Sequence, residues 1–307
     1  MSLPGSFDSK ELKATTKITR KQLHAKTEKE ALLCIGSNYI APCMHINSSS
    51  ITAFPDSMNL SQKIPKSWRT FAITMDPGSQ RFKSFQENNR HLEYEIFNAI
   101  DGKSLDFKNL VSNGLISEEL SLSPLLTKGT AGCAESHRSL WRKSVEEDLS
   151  ILILEDDCYT HPSLKNFIDA RLETLTKIDI CLFGVNTDVD FHSVSPQGLM
   201  SITNFMPKHP SRDWIINALK RTNPGEVKFH KLLRGAGFCS YFISPEGARK
   251  MLDKIFPLSL TSKEPYKRII PFSIDRSASK IYRSMSAAVC QPFMAYTPNT
   301  DSSTVNQ

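Results

Sequence analysis

A regular alternation of apolar and polar positions begins at Trp68. Before it, residues 10–30 are rich in Lys and Glu with Thr interspersed, and residues 47–67 are rich in Ser, Asn and Pro. Neither stretch sustains a period of a strand or a helix, so residues 1–67 read as a partly ordered N-terminal extension. From Trp68 the pattern is clear. RTFAITMD (69–76) reads as a short strand stopped by Pro77-Gly78. QRFKSFQENNRH (80–91) reads as a helix with Phe82 and Phe85 on one face. EYEIFNAIDG (93–102) is a second strand closed by Asp101-Gly102. The order repeats downstream. A helix runs from about Ala131 to Glu147, SILILE (150–155) is a buried strand, residues 163–176 form a helix, and DICLFGV (179–185) is a further buried strand. FCSYFIS (238–244) is a strand, and the helix after it enters through Ser244-Pro245, a good helix start. Strands alternating with helices argue for an α/β fold, a mostly parallel central sheet flanked by helices. Residues 103–128 look mobile, residues 186–230 irregular, and the tail after Pro292 frayed.

Composition adds limits. A chain of 307 residues has room for one large α/β domain or two small ones. The hydrophobic fraction of 39% and charged fraction of 23% are ordinary for a soluble globular protein. The net charge of +6 is spread along the chain; it suits an acidic substrate or an anionic membrane surface, and equally suits neither. The seven cysteines are odd in number, form no C-x-x-C and several lie in apolar runs, so they read as small buried residues of a reducing compartment. Sequons stand at Asn47 and Asn59, but the N-terminus lacks a signal-peptide pattern, and no run approaches 18 apolar residues. The expected location is therefore cytoplasmic, with peripheral contact at the inner face of the membrane. Aromatic-basic interleaving, zinc spacing and a recognition helix are all missing, so nucleic acid is not an expected partner.

The chemistry concentrates at Glu155-Asp156-Asp157, directly after the apolar strand. If the strand persists, alternation points Glu155 and Asp157 one way and Asp156 the other. Carboxylates at the carboxyl end of a buried strand sit where α/β sheets bind ligands. Left unpaired beside four apolar residues they are costly, and a divalent cation with a diphosphate resolves that cost. Oxygen ligands suit Mg²⁺ or Mn²⁺. Read alone, the run serves equally as the start of a solvated loop or as a helix cap.

Just upstream, GTAGCAESHRSLW has the form G-x-x-G-C-x-x-S-H-x-x-L-W, from Gly129 to Trp141. Cys133, His137, Leu140 and Trp141 share a helical face, so His137 is either a core histidine or a residue beside a nucleotide. The glycine-rich helix start can offer backbone N–H groups to phosphates. Together these pieces resemble glycosyltransferase family 25, which includes lipooligosaccharide galactosyltransferases and collagen galactosyltransferases. The resemblance runs from Phe71 to Ser303, giving a family-like domain over residues 68–303. It includes Arg81 in the first turn, Ala99-Ile100-Asp101-Gly102, the His137 helix with ILILEDD, DICLFG, GAGFCSYFISPEGARKML and PFSIDR with Asp275. Met75-Asp76-Pro77 departs from the family's asparagine-leucine-basic pattern.

The resemblance implies a GT-A-like nucleotide-sugar-binding fold and inverting transfer of a hexose, most often galactose from UDP-galactose, onto a hydroxyl of a glycan or glycolipid acceptor such as lipooligosaccharide. Residues 186–230 would carry loops facing that acceptor. It makes Asp157 the metal ligand with catalytic weight and Glu155 its partner, on the metal or the ribose. Arg81, His137 and Asp156 join Glu155 in holding the UDP-sugar. Asp275 becomes the base or a donor-sugar contact, with capping beside Arg276 as its structural alternative. No histidine follows His230, so a third metal ligand falls to Asp275 or water. Rival readings are a different UDP-sugar and an inactive member that binds nucleotide or serves as a scaffold.

Overall fold

The computed structural model describes residues 67–260 and 272–298. The extension before residue 67, Cys34, Cys43, Asn47, Asn59 and the end of the tail lie outside the described residues. The first half alternates as the sequence implies: β1 (Trp68–Thr74), α1 (Gln80–Asn88), β2 (Glu95–Asn98), two short helices α2 (Phe107–Ser112) and α3 (Glu118–Ser121), then α4 (Lys128–Glu146) and β3 (Ser150–Glu155). The second half contains β4 (Tyr159–Thr160), α5 (Leu164–Asp169), α6 (Leu172–Thr176), β5 (Ile180–Leu182), β6 (Phe191–Val194), β7 (Met200–Thr203), α7 (Arg212–Arg221) and β8 (Lys228–Arg234). It closes with β9 (Ser240–Ile243), α8 (Pro245–Ile255), α9 (Ile274–Ile281), β10 (Ala287–Gln291) and β11 (Ala295–Tyr296).

Nine strands form one sheet in the order β2-β1-β3-β9-β5-β10-β8-β6-β7. Following the pairings, β1, β2, β3, β5, β6 and β10 run one way, and β7, β8 and β9 run the other. Six of nine share a direction, which makes the sheet mostly parallel in orientation. The antiparallel β9 lies between β3 and β5 and joins the two halves.

Alternation along the strands sends residues into two apolar layers. Phe71, Ile73, Ile151, Ile153, Tyr241 and Ile243 pack against Leu140, Trp141, Ala248 and Met251 on one face. Ala72, Leu152, Leu154 and Phe242 pack against Phe82, Phe85 and Phe167 on the other. Burial on both faces is why SILIL has no polar position between its apolar ones.

Four local readings change. Residues 103–128 are ordered: Asp106 and Ser117 cap α2 and α3, and Leu110, Leu115, Ile116 and Leu120 are buried. Their apolar residues are spaced to cover the core from a winding path, so no single period shows. The expected helix over 163–176 is broken between Asp169 and Leu172, where Arg171 has φ −124°. Residues 186–230 hold the β6–β7 pair, α7 and part of β8; Lys228–Arg234 hides its strand character because only Leu232 is fully buried. Residues 293–298 are tied down: the Met294 amide donates to the Phe183 carbonyl at 2.9 Å, and β11 pairs with β4. Cys158, Cys181, Cys239 and Cys290 are buried free thiols, and Cys133 is partly buried.

Candidate active site

β1 and β3 run parallel with Ile73 opposite Glu155, so their carboxyl ends are level. A cleft of about 650 Å³ opens beyond those ends. Its walls include Thr74, Arg81, Asp101, His137, Glu155, Asp156, Asp157, Asp275 and Thr297. All six residues singled out in the sequence as site residues line it.

Strand alternation does not govern the acidic run. β3 ends at Glu155, and the Cys158 amide donates to the Glu155 carbonyl at 3.0 Å, closing a turn with Asp156 and Asp157 at its centre. The turn brings Asp156 to the same cleft as its neighbours. Thr74 Oγ1 donates to Asp156 Oδ2 at 2.7 Å, and Arg81 Nε donates to Asp156 Oδ1 at 2.6 Å. The Arg81 guanidinium also lies 3.2 Å from Asp157 Oδ2. Arg81 follows the N-cap Ser79 in the first turn of α1, so it is aimed at the acidic turn by its own helix. Asn89 holds that turn from behind: its Nδ2 donates to the Cys158 carbonyl at 2.8 Å, and its Oδ1 accepts from the Thr160 amide at 3.0 Å.

Asp157 is the least satisfied of the three. Among the described residues, its Oδ1 is buried without a hydrogen-bond partner. Burial pushes its carboxyl up to about 6, with Glu155 and Asp156 adding to the rise and Arg81 and Thr297 opposing it. A buried acceptor of this kind needs a cation or a donor to complete it.

The wall opposite the turn is built by close backbone approach. A Cβ on Gly102 would overlap the Lys128 carbonyl oxygen, and one on Gly132 would overlap the Ile100 carbonyl oxygen. Glycine at both positions lets the amino end of α4 lie against the Ala99–Gly102 loop. Ser136 completes the join: its hydroxyl accepts from the Ile100 amide at 2.9 Å and donates to the Gly132 carbonyl at 2.7 Å. Ser136→Ala leaves the Ile100 amide without this acceptor and is expected to cost about 1–3 kcal/mol, read as a lower melting temperature and faster amide exchange at Ile100.

His137 is 1% exposed and sits beneath the cleft. Its Nδ1 is 2.8 Å from the Tyr241 hydroxyl and its Nε2 is 3.3 Å from Glu155 Oε1. The core reading of the ring is met, and the ring also touches the acidic run. Asp275 lies in the first turn of α9. Its Oδ1 accepts from the Ser273 hydroxyl at 2.6 Å and the Arg276 amide at 2.8 Å, and its Oδ2 accepts from the Gly237 amide at 3.2 Å. Local capping by Asp275 and its place in the cleft thus coexist as well.

Thr74, Asn89, Tyr241 and Thr297 escaped the sequence reading. Thr74 and Tyr241 end or occupy strands that read as plain core. The hint for Tyr241 was its hydroxyl, a polar tip in the otherwise buried run FCSYFIS. Asn89 and Thr297 carried no local signal. Among the described residues, no helix is long and apolar enough to cross a membrane.

Comparison with known proteins agrees with this arrangement. The profile of glycosyltransferase family 25, described as LPS biosynthesis protein, matches residues 69–264. A protein of Acanthamoeba polyphaga mimivirus, named as a putative glycosyltransferase, is 34% identical over 96 residues. That match covers 30% of this chain and 28% of the relative's length. With its mixed α/β sheet, its cleft at the strand ends and its family match over most of the described residues, the chain belongs to glycosyltransferase family 25.

Proposed function

We propose that the protein is a metal-dependent, inverting hexosyltransferase that moves galactose from UDP-galactose to a hydroxyl of a glycan acceptor such as lipooligosaccharide, in peripheral contact with a membrane. One domain, residues 68–303, is proposed to carry the reaction. The observation that carries the metal requirement is Asp157 Oδ1, a buried carboxylate oxygen in the cleft with no hydrogen-bond partner among the described residues. Charge balance among the described residues adds support: seven carboxylate residues line the cleft against four lysines and arginines. A diphosphate brought to such walls meets net repulsion unless a cation comes with it.

The donor set fits a hard cation. Asp157 and Glu155 are the proposed ligands, and oxygen-rich sites of this kind take Mg²⁺ or Mn²⁺. When bound, the ion supplies positive charge to the departing diphosphate. The chain's own groups do the rest. Arg81 holds Asp156 and Asp157 in their turn and presents a cation beside the diphosphate. His137 fixes Glu155, and the amino end of α4 offers the Gly129 backbone N–H to phosphate oxygens, the Thr130 N–H being taken by the Thr127 hydroxyl at 3.0 Å. Asp275 is the proposed base; its Oδ2 accepts a long 3.2 Å bond from the Gly237 amide. An acceptor hydroxyl attacking in line gives its proton to that oxygen.

The test is UDP release from a panel of UDP-sugars, with an acceptor glycan, before and after chelation. Turnover is expected to be highest with UDP-galactose, to vanish with chelator and to return with Mn²⁺. Turnover indifferent to chelator removes the metal reading, and preference for another UDP-sugar removes galactose. Asp275→Asn is expected to lower kcat about a hundredfold with UDP affinity retained, as loss of a general base does. Unchanged kcat takes Asp275 off the list.

A further inference from the structure

We propose that Trp141, Tyr241 and His137 form a one-way hydrogen-bond chain that presents a fixed N–H from His137 Nε2 to Glu155, which makes His137 and Tyr241 positioning residues for that carboxylate. The inference rests on the proposed role of Glu155 at the donor site.

The direction follows from what each group can give. The indole of Trp141 can only donate, and its Nε1 lies 2.8 Å from the Tyr241 oxygen. Tyr241 therefore accepts at that bond and has its own proton to place. Trp141 and Tyr241 are fully buried, and burial raises the Tyr241 phenol well above its ordinary range, so the hydroxyl keeps its proton. Among the described residues, the remaining polar neighbour of that hydroxyl is His137 Nδ1, at 2.8 Å. Tyr241 donates there, so Nδ1 is the unprotonated nitrogen. The ring proton then resides on Nε2, 3.3 Å from Glu155 Oε1. The opposite order gives Tyr241 two donors and strands its own proton in the core, a buried group left unsatisfied.

Packing keeps the rings in place. Phe238 lies 5.3 Å from the His137 ring, 4.8 Å from Tyr241 and 6.0 Å from Trp141, centroid to centroid. His137 and Trp141 are four residues apart on α4, so both reach the same hydroxyl on β9. That spacing gives the S-H-x-x-L-W segment a physical purpose. The chain also decides a second question. Among the described residues, Cys133, His137 and Glu155 offer ligand atoms within 4.8 Å of one another, a donor set open to a thiophilic metal. With a proton on Nε2, His137 has no lone pair to give there, and Glu155 stays available to the cleft.

Two measurements on the full chain test the inference. Nitrogen NMR of the histidine rings, with His137→Asn used for assignment, is expected to find the His137 proton on Nε2; a proton on Nδ1 overturns the chain. Kinetics supply the second arm, with UDP release read on the donor that gives turnover. A glutamine side chain places its amide nitrogen near the Nε2 position, and asparagine reaches only as far as Nδ1. His137→Gln is expected to keep kcat within about tenfold, and His137→Asn to lose about a hundredfold, at similar melting temperatures. Equal losses, or the reverse order, overturn the positioning role. Full turnover in Glu155→Gln sinks the donor-site role of Glu155, and the NMR result still stands or falls separately.

Discussion

Replacing Asp157 with Asn is expected to lower turnover about a thousandfold and to make the metal-free protein more stable. The first effect follows from losing the proposed metal ligand at the proposed diphosphate site, since a bound cation contributes several kcal/mol to such a step. The second follows from the state of the carboxyl. Its folded value is pushed up to about 6 from an ordinary 3.8, chiefly by burial. A raised acid binds its proton more tightly when folded. The stabilisation is fully present below the unfolded value of 3.8 and is lost as pH rises through about 6. At neutral pH the ionised group therefore destabilises the metal-free fold by about 2–3 kcal/mol, and the amide relieves it. Thermal melts from pH 4 to 7.5 without metal should fall with pH in the wild type and stay nearly flat in Asp157→Asn. Added Mn²⁺ should raise the wild-type melt most above pH 6 and leave the variant unmoved. A variant that melts lower than wild type at pH 7.5 contradicts this account.

Gly102→Ala is expected to be strongly damaging for a single methyl. The added Cβ would meet the Lys128 carbonyl, which is backbone and cannot swing aside. Either the loop or the amino end of α4 must move. Forced overpacking of this kind costs about 3 kcal/mol or more, which corresponds to a drop in melting temperature of about 6–12 °C. Because the displaced backbone forms the wall of the cleft, nucleotide affinity should fall together with stability. Gly114→Ala is the control, since nothing lies within 4 Å of a Cβ there, though its φ of +66° adds a small strain. Equal melting of the two variants contradicts the close-approach argument.

Much of this arrangement is legible from the sequence for a physical reason. Strands buried on both faces, such as Ile151–Leu154, leave unbroken apolar runs, and their carboxyl ends are where an acidic turn stands out. The facing helix is legible because Gly132, Ser136, His137 and Trp141 each meet a separate demand at fixed spacing. What stays hidden depends on contacts distant along the chain. Asn89 meets the acidic turn across 69 and 71 residues, and Tyr241 meets His137 across 104. Strand alternation fails at Asp156 because the chain turns one residue earlier than the pattern assumes. β8 is missed because a central strand normally alternates more cleanly than KFHKLLR, where hydrogen bonds to β10 and β6 decide the matter.

The place of β9 between β3 and β5 sets a timetable for biosynthesis. β3 can pair with β1 as soon as both have left the ribosome, but its other edge waits for Ser240–Ile243. At about 5–20 residues per second, that edge stays open for several seconds. β5 waits longer still, since both of its partners are made after it. During this interval Ile151–Leu154 offer one unpaired strand edge to whatever is nearby. The nascent chain is thus most in need of a chaperone between the making of its acidic turn and the making of Tyr241, the residue that later reaches back to His137.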